Sequence, residues 1–273
     1  MHARSHMSAG IISGEACFVI HTRPYRETSV IADLMCLNCG RISAVARAAR
    51  HPASPFRGTL QPFTSLLATM ARGRGGTSLW KLRFCQREGQ TFDLKAPAVF
   101  CATYLNELLY HLWHSEEGSA VLFASYLQTL QTLVRPDLPQ TAIAGALRRF
   151  ELTLLETLGY GIDLTGDVTG GGFMPGGSYS YEPGRGFRRA TGDEPGLTAV
   201  FEGWVLNDLR AENWTAGGPH GRVLQQITHV VLERLLGRRV ILSRDLYRGY
   251  MQALHRAADA AASGMQDDER ADG

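Results

Sequence analysis

The chain has 273 residues, 44% apolar and 20% charged, ordinary values for a globular protein and enough for one large domain or two modest ones. No apolar run reaches the length of a membrane span, and the polar opening lacks the apolar core of a secretory signal. Five cysteines, an odd number, do not resemble a disulfide framework, so the expected compartment is the reducing cytoplasm, with no membrane partner.

The net charge of +2 conceals a split. Residues 1–100 hold 13 Lys+Arg against 5 Asp+Glu, a net of +8, while residues 101–273 hold 15 against 21, a net of −6. That polarity points to an anionic partner bound at the N-terminal end. Of the basic residues in the first hundred only Lys81 and Lys95 are Lys. Arginine is weakly hydrated, stacks on planar groups and grips phosphate through two parallel hydrogen bonds. A GC-rich genome also favours Arg over Lys, but it does not explain why acids are scarce only there.

In chain order, residues 1–13 read as a disordered tail. Residues 14–95 carry short β-type runs separated by turns: Ala16–His21, Thr28–Cys36, Arg41–Arg47, Gln61–Met70 and Ser78–Arg87. Five strands with one longer loop, His51–Gly58, predict a small five-stranded OB-type barrel. Alternation in the fifth run puts Trp80, Leu82 and Phe84 on one face, inward, and Lys81, Arg83 and Arg87 on the other. Beyond Pro97 the period becomes helical, predicting an all-helical domain over 97–261 and an α+β chain in all. Helices are predicted over Val99–His114, Ser119–Val134, Thr141–Leu158, Thr198–Ala211 and Arg222–Leu236, with a last one opening at the N-cap Ser243. Gly159 closes the third of these helices. Residues 162–198 contain ten glycines and read as a loop with a hairpin around Tyr179–Arg188, and 262–273 as a disordered tail.

The first hundred residues carry the main chemical signal. A cationic groove with aromatic platforms binds single strands in OB-type modules. The candidates for the backbone are Arg23, Arg41, Arg47, Arg50, Arg57, Arg72, Arg74, Lys81 and Arg83. Tyr25 and Phe56, in turn-rich stretches, are the stacking candidates. Gly73–Gly76 lacks the Lys-Ser/Thr of a P-loop and leads into a strand, so it reads as a hairpin turn.

Two features invite a metal and fall short of one. Cys36-x-x-Cys39 is half of a zinc signature without a second pair, and reads as a strand-end turn carrying two thiols. Glu107, His111 and His114 share a helix face, but Leu112 and Trp113 beside them suit an ordinary half-buried helix; no metal or cofactor is expected. On the Thr141–Leu158 helix, Arg148, Leu152 and Leu155 form a minor stripe headed by a cation, which suits either an acidic, apolar peptide tail or second-layer packing. No nucleophile elbow, zinc-hydrolase helix or dinucleotide fingerprint occurs, so nothing asks for an enzyme.

Several phrases, in order, resemble the bacterial RecO family of recombination mediators. They are Arg23-Pro-Tyr-Arg-Glu-Thr-Ser29, Gly40-Arg41, Arg47-Ala-Ala-Arg50, Leu60-Gln-Pro-Phe63, Tyr104-Leu-Asn-Glu-Leu108, the specific Leu147-Arg-Arg-Phe-Glu-Leu-Thr-Leu-Leu-Glu-Thr-Leu-Gly-Tyr-Gly161, and Ser243-Arg-Asp-Leu246. The resemblance implies an N-terminal OB-fold, a helical domain, and binding and annealing of single-stranded DNA near the nucleoid. It also implies partnership with RecR in loading RecA, and capture of the acidic C-terminal tail of the single-stranded DNA-binding protein (SSB). The last role carries over to Arg148, with Leu152 and Leu155 as a proposed apolar wall. Some members carry a four-cysteine zinc module after this helix; residues 160–200 contain no cysteine. The competing reading is an RNA-binding OB factor linked to tRNA or translation.

Overall fold

Alternating burial over Gly40–Ala46 and Thr64–Arg72 shows the period of two that builds the N-terminal sheet, each strand turning every second side chain inward. The computed structural model describes residues 10–73, 78–190, 199–215 and 217–257 in full, and 6–8 and 258–271 as backbone. The strands are β1 (His6–Ser8), β2 (Ile11–Tyr25), β3 (Ser29–Cys36), β4 (Gly40–Ala46), β5 (Thr64–Arg72) and β6 (Trp80–Thr91). They pair in the order β1-β2-β3-β4-β6-β5, and β2 also pairs with β5, so each of β2 to β6 has a neighbour on both sides. Cys17, Val19, Leu34, Ala44, Met70 and Leu82 fill the interior.

Two expectations fail here. The stretch read as a tail contains strand: β1 lies within it, Ile12 is buried and β2 already pairs at Ile11↔Ala71. In β6, Met70 faces Leu82 but Thr69 faces Phe84, leaving Arg83 as an extra residue. Beyond this bulge the phase inverts, so Cys85 turns inward and Phe84 is 50% exposed, not in the core.

The C-terminal part holds α1 (Ala98–Leu112), α2 (Ala120–Leu133), α3 (Gln140–Thr157), α4 (Gly203–Arg210), α5 (Gly218–Leu236) and α6 (Leu242–Ala271). Ser119 caps α2 by accepting the Leu122 N–H, and Gly159, at φ +78°, ends α3. This part is not all-helical. The expected hairpin is β7 (Ser178–Glu182) with β8 (Gly186–Arg189), and β9 (Val200–Glu202) adds a third strand out of a stretch whose periodicity reads as helix. Tyr179, Phe187 and Phe201 bury one face of this small sheet against Phe173, which the helical period could not express. The backbone of α6 continues past Ala261 to Ala271. Its first turn is not capped by Ser243: Glu107 of α1 accepts the Leu242 and Ser243 N–H groups at 3.2 and 3.1 Å and the Ser243 hydroxyl at 2.5 Å.

Sheet and helices share a core. Phe18 of β2 packs on Phe123 and Tyr126 of α2, at centroid distances of 5.4 and 5.1 Å. The β3–β4 turn docks on the α1–α2 link: the Arg41 N–H donates to the Ser115 carbonyl at 2.7 Å and the Gly118 N–H to the Asn38 carbonyl at 3.2 Å. Gly40 and Gly118 allow this approach, because a Cβ on either would collide with backbone of the other segment. Among the described residues no helix is long and apolar enough to cross a membrane.

Candidate functional site

The register brings one end of the N-terminal sheet together. Val30 of β3 faces Ala46 of β4, Ala44 and Val45 face Trp80 and Lys81 of β6, and Arg72 of β5 faces Trp80. The β2–β3 turn (26–28), the segment after β4 and the chain around Arg72 therefore meet at that end. The Arg50 N–H donates to the Thr28 carbonyl at 2.8 Å, tying the first two together. Arg26, Arg47, Arg50 and Arg72 stand exposed there, with Lys81 half-buried. Arg72 lies over the Trp80 ring at 5.2 Å and Arg26 over the half-buried Tyr25 ring at 5.2 Å. Arg57 is exposed on the β4–β5 loop, its guanidinium 3.4 Å from the Pro52 carbonyl, and Arg83 is exposed further along β6. Arg74 lies outside the described residues.

Other predicted residues are elsewhere. Arg41 is engaged in the joint between sheet and helices: it bonds the Tyr110 carbonyl at 2.5 Å and His114 Nδ1 at 3.0 Å, lies over the Tyr110 ring at 4.7 Å, and pairs with Asp33 at 3.5 Å. Asp33 is fully buried and also takes Arg23 at 3.2 Å and the Ser43 hydroxyl. Arg23 keeps 42% of its side chain exposed. Phe56 is buried in the sheet's core, since its loop folds back over the interior and takes the ring with it. Two exposed arginines of this region are not among those candidates, Arg26 and Arg87; the latter donates to the Gly58 carbonyl.

A second region opens between α1, α3, α5 and α6 as a groove of about 900 Å³. Phe100, Ile143, Leu147, Tyr247 and Met251 give it apolar walls. Arg148, Arg222, Arg244 and Arg248 give it charge, and no Asp or Glu lines it among the described residues. Behind it Glu151, fully buried, organises the floor. One carboxylate oxygen accepts from Tyr104 and Arg148, both at 2.7 Å, and the other from Thr228 of α5 at 2.7 Å. Arg148 also donates to Thr228 at 3.2 Å. Arg244 donates to the Tyr104 oxygen at 3.1 Å and lies over its ring at 5.1 Å. Burial first, then the Glu151 charge, pushes the Tyr104 phenol well above its usual range, so it stays a donor.

Arg148 thus lines the groove, but Leu152 and Leu155 do not. Leu155 is fully buried in the main core and Leu152 packs against the β7–β9 cluster. They share a face of α3 with Arg148, and α3 packs against α5, whose Thr228 bonds Arg148 and Glu151. The wall is instead Ile143 and Leu147, one turn earlier. Nothing in a single helix's periodicity says where a neighbouring helix crosses it. Arg222 is exposed without an ion pair among the described residues, and Arg248 pairs with Asp245 at 3.2 Å.

The metal candidates are otherwise occupied. Glu107 holds the start of α6, and His114 meets Arg41. Cys36 and Cys39 are buried beside Cys17 and Cys85 in the sheet, where burial, with help from the Glu15 charge, pushes the Cys39 thiol up to about 12. No group of metal-ligating side chains occurs among the described residues.

The family description "Recombination protein O N terminal" matches residues 12–87, and "Recombination protein O C terminal" matches 95–240. The chain belongs to the RecO family. It is 33% identical to DNA repair protein RecO of Thiobacillus denitrificans over 242 residues, 87% of this chain and 92% of that protein. It is 36% identical to DNA repair protein RecO of Coxiella burnetii over 233 residues, 85% and 96% of the two chains. The RecO protein of Psychromonas ingrahamii is 42% identical over 171 residues, 62% of this chain and 70% of its own. The two RecO matches part between 87 and 95, spanning the end of β6 and the approach to α1. The second ends just before α6, so Arg244, Tyr247 and Arg248 of the groove lie beyond it.

Proposed function

We propose that this chain is a DNA repair and recombination mediator that holds single-stranded DNA on an OB-type barrel and docks the acidic tail of SSB in the helical groove. The two functions fall to the N-terminal barrel and the C-terminal domain, and no covalent chemistry is involved. Annealing needs only that the charge of two strands be neutralised so that they can pair. The closed pairing of β2 to β6 supports the barrel reading, and the exposed arginines at its end support phosphate binding. The observation that carries the docking half is the groove: four arginines and an apolar wall with no acid among its described lining residues, the complement of a peptide ending in carboxylates and an apolar residue. Membership of the RecO family supports work beside RecR in loading RecA, on nucleoid DNA in the cytoplasm.

The test separates the halves. Binding of a labelled single-stranded oligonucleotide weakens with salt, with a log–log slope of about 0.7 per phosphate contacted. An SSB-tail peptide binds without competing with bare DNA. Arg148→Ala, and Arg222→Ala as a variant that leaves Glu151 its partners, weaken the peptide roughly tenfold, as loss of a charge-assisted contact does, and leave the oligonucleotide unchanged. Equal loss of both ligands, or a preference for RNA over DNA in competition, overturns the reading.

A further inference from the structure

Phe84 is an aromatic residue that its strand would ordinarily bury. The bulge at Arg83 leaves Arg83 and Phe84 both exposed between the buried Leu82 and Cys85. Bulges re-aim side chains, and this one turns a ring out of the core onto the outer face of β5–β6. A single exposed apolar residue is ordinary, so the surroundings decide. Across the ladder, Phe84 faces Thr69. Further along, Ile11, 43% exposed, pairs with Ala71, which in turn faces Lys81.

Charge narrows the choice of occupant. Strands β2, β5 and β6 contain two acids, Glu15 and Glu88. Glu15 is fully buried, its carboxylate accepting the Asn38 N–H and side-chain amide at 2.7 and 3.2 Å. Glu88 is left on the surface against Arg72, Lys81, Arg83 and Arg87. Arg72, at the cationic end, lies three residues along β5 from Thr69, roughly 10 Å at the rise of a strand. A strand whose phosphates meet the arginines at that end reaches Phe84 within a nucleotide or two.

The geometry points to Phe84 as a base-stacking platform for single-stranded nucleic acid, carrying the strand from the cationic end past Arg83 toward Arg87. It rests on the single-strand reading above and extends it to the outer β5–β6 face. Every base has a π-face, so a ring flanked by cations holds single strands without reading sequence. The ring is held by its strand and needs no induced fit.

The experiment uses the full-length chain and labelled oligo(dT), with an abasic oligonucleotide of equal length. Phe84→Ala and Phe84→Leu weaken oligo(dT) binding roughly 5- to 10-fold, the low end of what one stacked base supplies, and Phe84→Tyr stays within about twofold of the parent. The abasic strand binds the parent and Phe84→Ala alike. If the parent does not bind oligo(dT), the single-strand reading itself fails. If the parent binds and Phe84→Ala binds equally well, only the platform is overturned. Equal weakening of the abasic strand, or rescue by Leu as good as by Tyr, overturns stacking in favour of charge or apolar contact.

Discussion

The two arginine-rich regions of this protein are built in opposite ways. At the end of the N-terminal sheet Arg26, Arg47, Arg50 and Arg72 sit on turns and strand ends, exposed, with rings beneath two of them and no buried carboxylate to fix them. In the groove Arg148 and Arg244 are pinned through Glu151, Tyr104 and Thr228 before any ligand arrives. Loose cations suit a partner that is a repeating line of charge, for which any register is as good as the next. Pinned cations suit a partner with one end and one direction, since pre-organised donors lose little freedom on binding.

The largest effect is expected where the groove's order originates. Glu151→Ala removes the acceptor of three donors and leaves Arg148, with 14% of its side chain exposed, without its carboxylate. Breaking a buried pair from one side costs about 3–5 kcal/mol, read as a lower urea midpoint at unchanged m-value. A loss below about 1 kcal/mol would mean that the floor is wet and the contrast between the regions false.

Next in size is the comparison of Arg41 with Arg50, which look alike in sequence. Arg41→Ala strips Asp33 of one partner while Arg23 and Ser43 remain, so stability falls by about 1–3 kcal/mol and DNA affinity changes little. Arg50→Ala leaves stability within about 0.5 kcal/mol and lowers the salt slope of single-strand binding by about 0.7. Identical behaviour of the two variants would break the division between structural and ligand-facing cations.

Much of this was legible in the residues. Short β-type runs between turn signals located β2 to β6 of the six-stranded sheet but not β1, and the charge split marked the first hundred residues as the basic part. Helical period with Ser119 and Gly159 bounded α2 and α3. What escaped depends on residues far apart in sequence. The phase of β6 flips because β5 skips Arg83, and that register is a property of two strands together. Phe56 lies in a Pro-rich loop, which reads as surface until the loop folds back over the sheet. Arg148 stands out in sequence as the cation heading an α3 stripe, but the other groove arginines, Arg222, Arg244 and Arg248, come from α5 and α6, and the stripe could not announce that Leu155 and Leu152 turn into two separate apolar clusters. The three-residue β9 is too short to show any period.

The smallest effect tests how dry the two regions are, through their thiols. Burial raises the Cys101 thiol, which lines the groove, to about 11, and the Cys85 thiol, inside the sheet, to about 12. An unfolded thiol ionises near its ordinary value of 9.0, below both. Between that value and the raised one the folded state holds a proton that the unfolded state has released. Each thiol's contribution to stability is therefore complete below about pH 9 and is lost as pH rises, at no more than about 1.4 kcal/mol per pH unit. Urea melts at pH 8 and pH 10 are expected to show a fall of about 1 kcal/mol for each such thiol, and Cys101→Ala and Cys85→Ala each to remove one share of it. If Cys85→Ala flattens the profile and Cys101→Ala does not, the groove admits water as far as α1, and Arg148 and Arg244 work in a wetter and weaker field than Glu151 and Tyr104 imply.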